Sequence, residues 1–136
     1  MTRINAVPVE ELTNAHLAVE HYELIRVYRL VRKAINRGEQ PDDAKNPDTY
    51  RMGKGHVRFF YPRLRYIQRR EIQLHVEMLF RGLSLSREEY DTSDIPSSWF
   101  QDWTPDEGAK EINRARLKQR IMEYERHMTR GYIMEK

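Results

Sequence analysis

At 136 residues and 16.5 kDa the chain has the length of one domain, and residues 1–136 are expected to form a single one. Charged residues make up 33% and hydrophobic residues 39%, against a typical charged share of about 25%, which points to a small core beneath a charged surface. The absence of cysteine excludes disulfides, thiolate metal sites and a cysteine nucleophile, no apolar run approaches a membrane span, and the opening residues lack an apolar signal core, so a cytoplasmic location is expected.

Three main helices are predicted, joined by irregular loops, and the fold class is all-α. The first begins near Thr13 or Asn14, both able to cap, and stops at Gly38. Leu17, Leu24, Tyr28, Val31 and Ile35 recur along it at helical spacing and mark its buried stripe. A polar loop follows from Gly38 to Gly55, and its Gly53-Lys54-Gly55-His56 end would let backbone approach a phosphate, without the lysine-serine ending of a Walker loop. The second helix follows Tyr61-Pro62, with proline suited to the first helical position. Its face is Leu64, Ile67, Leu74 and Met78, with Glu71 as the polar exception, and Gly82 ends it. Short turns are predicted at 86–90 and 97–100. The third helix opens at Thr104-Pro105-Asp106-Glu107, read as a capping box, and carries Ile112, Ala115, Leu117 and Ile121.

Charge is segregated along the chain. The window from Arg51 to Arg70 has no Asp or Glu and holds Arg51, Lys54, Arg58, Arg63, Arg65, Arg69 and Arg70, interleaved with Phe59, Phe60, Tyr61 and Tyr66. Arg114, Arg116, Lys118 and Arg120 form a second basic run, with an acidic stretch between the two. Such segregation suits a face that meets phosphate; the alternative is an ordinary solvated surface. On the first helix His16, Glu20 and Glu23 fall along one side, with Arg26, Arg29 and Lys33 beyond them. Ion pairs on a solvated helix face would also explain that pattern. His16 and Glu20 could bind a metal, but His21, His56, His75 and His127 show no ligand spacing, so no metal is expected, and no cofactor is either. Tyr22, Tyr28, Trp99 and Trp103 read as packing residues, any of which could instead stack on a base. At the start of the chain Thr2 is small, so removal of Met1 is expected to free its α-amine. That amine has a pKa of ~7.7–8.0 against ~10.4 for lysine, which suits imine chemistry with a sugar aldehyde.

Taken together the residues resemble the pyrimidine-dimer DNA glycosylase/AP lyase family of the bacteriophage endonuclease V type. The resemblance runs through Met1-Thr2-Arg3-Ile4-Asn5, Glu11-Leu12, His16-Leu17, Glu20, Glu23-Leu24 and Arg26-Val27, then Gly53, Gly55-His56-Val57, Phe59-Phe60-Tyr61, Arg81-Gly82, Ser93-Asp94-Ile95-Pro96 and Ala115-Arg116-Leu117. It implies an all-α fold with the amino terminus packed between helices, and a monomer acting without a metal on double-stranded DNA that holds a damaged base or an abasic site, with no membrane partner and a nucleoid-associated location. It further implies that Thr2 supplies the attacking amine and Glu23 the catalytic carboxylate. By the same resemblance Arg3 and Arg26 contact DNA, Arg116 binds phosphate, Arg120 stands where the family can have lysine, and His16 lies near the active centre. The chain departs from the dimer-specific phage type at Tyr22, where that type has arginine, at Ala15, where it has glutamine, and in the carboxyl-terminal tail. Those departures point to the same chemistry on a different modified base as one alternative. A non-catalytic DNA-binding protein on the same scaffold is the other.

Overall fold

The computed structural model describes residues 4–83 and 90–134, with side chains through Arg126. Its helices are α1 (Asn14–Asn36), α2 (His56–Phe59), α3 (Leu64–Phe80) and α4 (Glu107–Met134), with 3-10 turns at Val9–Glu11 and Ser97–Trp99. Among the described residues there is no strand, only a single antiparallel bridge between Arg63 and Phe100. The all-α expectation holds, with three long helices and a short one, α2, just past the predicted loop, to which the sequence reading assigns no element.

The helix ends follow local chemistry. The Thr13 hydroxyl accepts the His16 N–H at 3.1 Å and caps α1. At the other end Gly38, at φ 85°, turns the chain, and Glu39 N–H reaches back to the Ala34 carbonyl. Gly82 ends α3 in the same way, with Leu83 N–H on the Met78 carbonyl. Two predicted starts shift. Pro62 lies in the turn before α3, which begins at Leu64. Asp106, not Thr104, caps α4, its carboxylate accepting the Ala109 N–H at 2.7 Å. The turn predicted at 97–100 is the Ser97–Trp99 one; the turn predicted at 86–90 lies almost wholly outside the described residues.

One continuous core runs from Ile4 to Leu117. The α1 stripe is buried as read at Leu17, Leu24, Tyr28 and Val31, with Ile35 packed on its edge. On α3 the buried polar exception is Arg70, not Glu71. On α4 the inward residues are Ala109, Asn113 and Leu117, while Ile112 and Ile121 face solvent, because the helix touches the core only along its first turns. Tyr50, Phe59, Phe60, Tyr66 and Trp103 pack as an aromatic cluster beneath the loop, with ring centroids 5.0–6.1 Å apart.

The start of the chain is the most heavily bonded segment. Ile4, Ala6 and Val7 are buried between α1, α3 and α4. The Asn113 side-chain oxygen on α4 accepts both Ala6 N–H and Val7 N–H, at 2.7 and 3.0 Å. Tyr66 on α3 donates its hydroxyl to the Asn5 carbonyl at 2.6 Å, and Arg70 reaches the Val7 carbonyl at 2.6 Å. These bonds satisfy backbone groups of an irregular segment that would otherwise be buried without partners.

Candidate active site on the first helix

Glu20 and Glu23 share a side of α1 but have opposite surroundings. Glu20 is fully buried. Its carboxylate takes two bonds from the Arg70 guanidinium, at 2.6 and 3.0 Å, and a third from Asn5 at 2.6 Å. The reading of Glu20 as part of a solvated polar face is therefore corrected: it is a structural charge, tolerable inside only because a bidentate cation and an amide surround it. Glu23, one turn further along, keeps 17% of its side chain exposed and pairs with Arg26 at 3.3 Å. It opens on a concavity of about 650 Å³ whose described lining comes from α1 alone, including Tyr22, Glu23, Arg26, Arg29 and Lys33. Arg29 and Lys33 make no ion pair among the described residues, so the concavity is rimmed by cations around one partly exposed carboxylate. That electrostatic arrangement suits an anionic backbone whose reacting centre turns positive.

His16 lies two turns before Glu23, about 10 Å along the axis. It is half-buried, and burial holds its imidazole below the usual histidine range, so the ring is neutral at physiological pH. Tyr22 does not pack: it is 71% exposed beside Glu23, whereas Tyr28 and Trp99 are buried. Arg116 and Arg120 lie on α4, along the same side as Asn113 and Leu117. Arg116 bonds Gln119 at 3.2 Å and Arg120 pairs with Glu123 at 3.2 Å; neither bonds Glu23 or Arg26. The link between the two helices is Asn5, held by Glu20 on α1 and by Asn113 on α4. Thr2 and Arg3 lie outside the described residues.

The basic window needs the larger correction. Arg58 pairs with Glu39 at 2.9 Å, Arg63 bonds the Phe59 carbonyl and stacks on the Phe59 ring, Arg69 pairs with Asp102, and Arg70 is the partner of Glu20. All four are engaged within the chain, and Arg70 alone of them is buried. Arg51, Lys54 and Arg65 remain exposed without an ion pair among the described residues. The glycine-rich turn stays at the surface, with Gly53 and Lys54 exposed. It directs His56 into the core, where the ring accepts the Ile4 N–H at 3.2 Å. A separate groove of about 520 Å³, lined by Val9, Ile72, Val76 and Trp103 among others, includes none of the predicted site residues.

Sequence reasoning missed Asn5, His56, Tyr66 and Asn113 as the residues that build the floor of this region. A signal was present for Glu20 and Arg70, since each interrupts an apolar stripe (Leu17–Glu20–Leu24 and Ile67–Arg70–Leu74) and buried charges come in pairs. The sequence profile of the family described as pyrimidine dimer DNA glycosylase matches residues 1–91, which hold α1 to α3, the Glu20–Arg70 pair and Glu23. With two-thirds of its length matched in this way, the chain belongs to the pyrimidine dimer DNA glycosylase family.

Proposed function

We propose that this protein, acting as a single domain over residues 1–136, excises the base of a UV-type pyrimidine dimer from duplex DNA and then cuts the strand at the resulting abasic site. The observation that carries the reading is Glu23: a carboxylate partly exposed in a cation-rimmed concavity, in a chain of this family. Thr2, freed by removal of Met1, supplies the nucleophile. Ile4 is anchored to His56 and Asn5 to Glu20, on the turn of α1 before Glu23, and in sequence Arg3 alone separates Ile4 from Thr2.

The uncharged amine attacks C1′ of the damaged nucleotide. The glycosidic C–N bond breaks, and the base leaves with its electron pair and takes up the proton that the amine gives up. The C1′–O4′ bond then opens with its electrons on O4′, which takes up a proton, while the nitrogen lone pair forms the C1′=N bond of a protonated imine joining sugar to enzyme. Glu23 stabilises the positive charge on the sugar, then its carboxylate removes the C2′ proton. The electrons of that C–H bond form the C2′–C3′ double bond, and the 3′ phosphate departs with the C3′–O electrons. Water then hydrolyses the imine and restores the amine. Arg3, Arg26, Arg116 and Arg120 hold the phosphates, and neutral His16 borders the centre.

Borohydride reduction tests this directly. Processed protein, with loss of Met1 verified by intact mass, is mixed with a duplex carrying one pyrimidine dimer and, separately, one carrying an abasic site. A reduced covalent adduct on both is expected, and Glu23→Gln should bind both duplexes yet fail to cut. Absence of any adduct would leave a non-catalytic DNA-binding protein. The exposed Tyr22 favours a second reading, in which the same chemistry serves a different modified base. Adduct on the abasic duplex alone, followed by cutting of another single-lesion duplex, would select it.

A further inference from the structure

The Gly53-Lys54-Gly55-His56 turn takes no part in the chemistry above, yet its geometry is demanding. Gly53 and Gly55 both have positive φ, at 69° and 88°. A Cβ on Gly55 would stand 3.1 Å from the Pro47 side chain and 3.2 Å from that of Arg51, so any other residue here is strained by its conformation and crowds two neighbours. The effect is to start α2 with His56 pointing inward, 4% exposed, edge-on to Tyr50 and Phe60. There the two ring nitrogens have opposite duties. Nδ1 lies 2.7 Å from the Arg51 carbonyl and can only donate to it. Nε2 lies 3.2 Å from the Ile4 N–H and must accept from it. The pair of bonds fixes the neutral tautomer with the proton on Nδ1. Tyr50 extends its hydroxyl towards the Ile4 carbonyl from the same side, at 3.4 Å.

Ile4 is the first described residue, and among the described residues His56 bonds its N–H, the group on the side of the proposed nucleophile. Tyr50 acts on the carbonyl side of Ile4, and the remaining anchors act further along: Glu20 and Tyr66 on Asn5, Asn113 on Ala6 and Val7, Arg70 on Val7. We propose that His56 is a positioning residue for the amino-terminal amine: by accepting the Ile4 N–H from the rigid glycine turn, it fixes Ile4, two residues along from Thr2, and through that short link sets where the amine meets the sugar. The inference rests on the reading of the Thr2 amine as nucleophile given above. Reactive groups displaced by about 1 Å can lose roughly 100-fold in rate, so one hydrogen bond at this point has leverage on catalysis beyond its share of stability.

Two substitutions separate positioning from packing. In His56→Asn the amide occupies the place of Nδ1 and keeps the bond to Arg51, but is too short to accept from Ile4. In His56→Gln the side-chain oxygen reaches the place of Nε2. Both are polar and smaller than the ring, so a packing role would damage them alike. The readouts are the single-turnover rate of imine trapping at saturating abasic duplex, the Kd for that duplex, and hydrogen exchange of the Ile4 amide. Expected for H56N are a trapping rate lower by roughly 10- to 100-fold, an unchanged Kd and faster Ile4 exchange, with H56Q close to wild type on all three. Should H56N fail to fold, H56Q still decides through its Ile4 amide: protected exchange with a wild-type rate supports the assignment, and lost protection with a wild-type rate overturns it. Equal rates for wild type and H56N would also overturn it and leave the proposed chemistry standing. A wild type that forms no adduct would remove the chemistry and the positioning role together.

Discussion

Replacing Arg70 by methionine tests the account of the core. The guanidinium is 3% exposed and its partner Glu20 is 0% exposed, so the substitution leaves a fully buried carboxylate whose one remaining described donor is Asn5. Removing one member of a buried ion pair costs about 3–5 kcal/mol. The lost bond from Arg70 to the Val7 carbonyl adds about 1 kcal/mol. Against a total stability of roughly 5–15 kcal/mol, the variant should stand near the edge of folding, with Tm lower by about 10–20 °C. Glu20→Met should cost a similar amount by orphaning the cation. The double variant removes both charges, and its remaining penalty is the loss of partners for Asn5 and the Val7 carbonyl, about 2–4 kcal/mol. The singles therefore sum to more than the double by at least about 2 kcal/mol. Urea unfolding at pH 7 measures all four corners of the cycle, with constant m as the check on two-state behaviour. An Arg70→Met cost below about 1 kcal/mol, or additivity within about 0.5 kcal/mol, would refute the view of this pair as mutually dependent buried charges.

The remaining predictions address the loop, acid stability and the DNA face. Gly55→Ala should destabilise the protein by about 1–3 kcal/mol, since it combines a left-handed φ with two contacts near 3.1 Å; an unchanged urea midpoint would contradict it. Hydrogen bonding from Arg58, with support from Arg37, holds the Glu39 carboxyl down at about 2, below its usual 4.5. The folded form thus favours the ionised group, so this stabilisation is complete above pH ~4.5 and fades as pH falls towards 2; Glu39→Gln should flatten stability across that window in acid titrations followed by circular dichroism. Arg26→Ala and Arg116→Ala should each lower the slope of log Kd against log salt by about 0.9, whereas Arg58→Ala, being tied to Glu39 inside the fold, should leave the slope unchanged.

Much of α1 and α3 was legible because each buries a broad apolar stripe at helical spacing and ends at a glycine with positive φ. The inward face of α4 was not. Among its described side chains only Ala109, Asn113 and Leu117 are buried, so a short polar-interrupted contact was outweighed by the exposed Ile112 and Ile121. The ion pairs inside the basic window were not legible either, for a different reason. Charge counted along a sequence ignores carboxylates that the fold brings from elsewhere, and here Glu39 meets Arg58, Asp102 meets Arg69 and Glu20 meets Arg70. The position of Glu23 came from the resemblance, and its partly exposed, Arg26-paired setting suits the role. The network around Asn5 left no local trace, because its bonds join residues separated by 15 to 108 positions.

That network also explains why the last helix bears on the site. The family match ends at residue 91, and within it lie all the anchors on Ile4–Val7 except Asn113. Asn113 is fully buried. It bonds the Ala6 N–H, the Val7 N–H and the Asn5 side-chain oxygen, so one residue of α4 satisfies three polar groups of the opening segment. The same bonds fix the rotation of α4. Arg116 and Arg120 follow Asn113 by three and seven residues, so they share its side of the helix, and a slip of one residue would turn them by about 100°. Asn113→Ala should therefore do two things at once. It should cost about 2–4 kcal/mol by orphaning buried groups, and it should weaken the Arg116 contribution to the salt dependence of DNA binding. Urea unfolding and salt-dependent binding of N113A and N113A/R116A measure both. A salt slope that still falls by about 0.9 when Arg116 is removed from N113A would show that the register of α4 is set elsewhere.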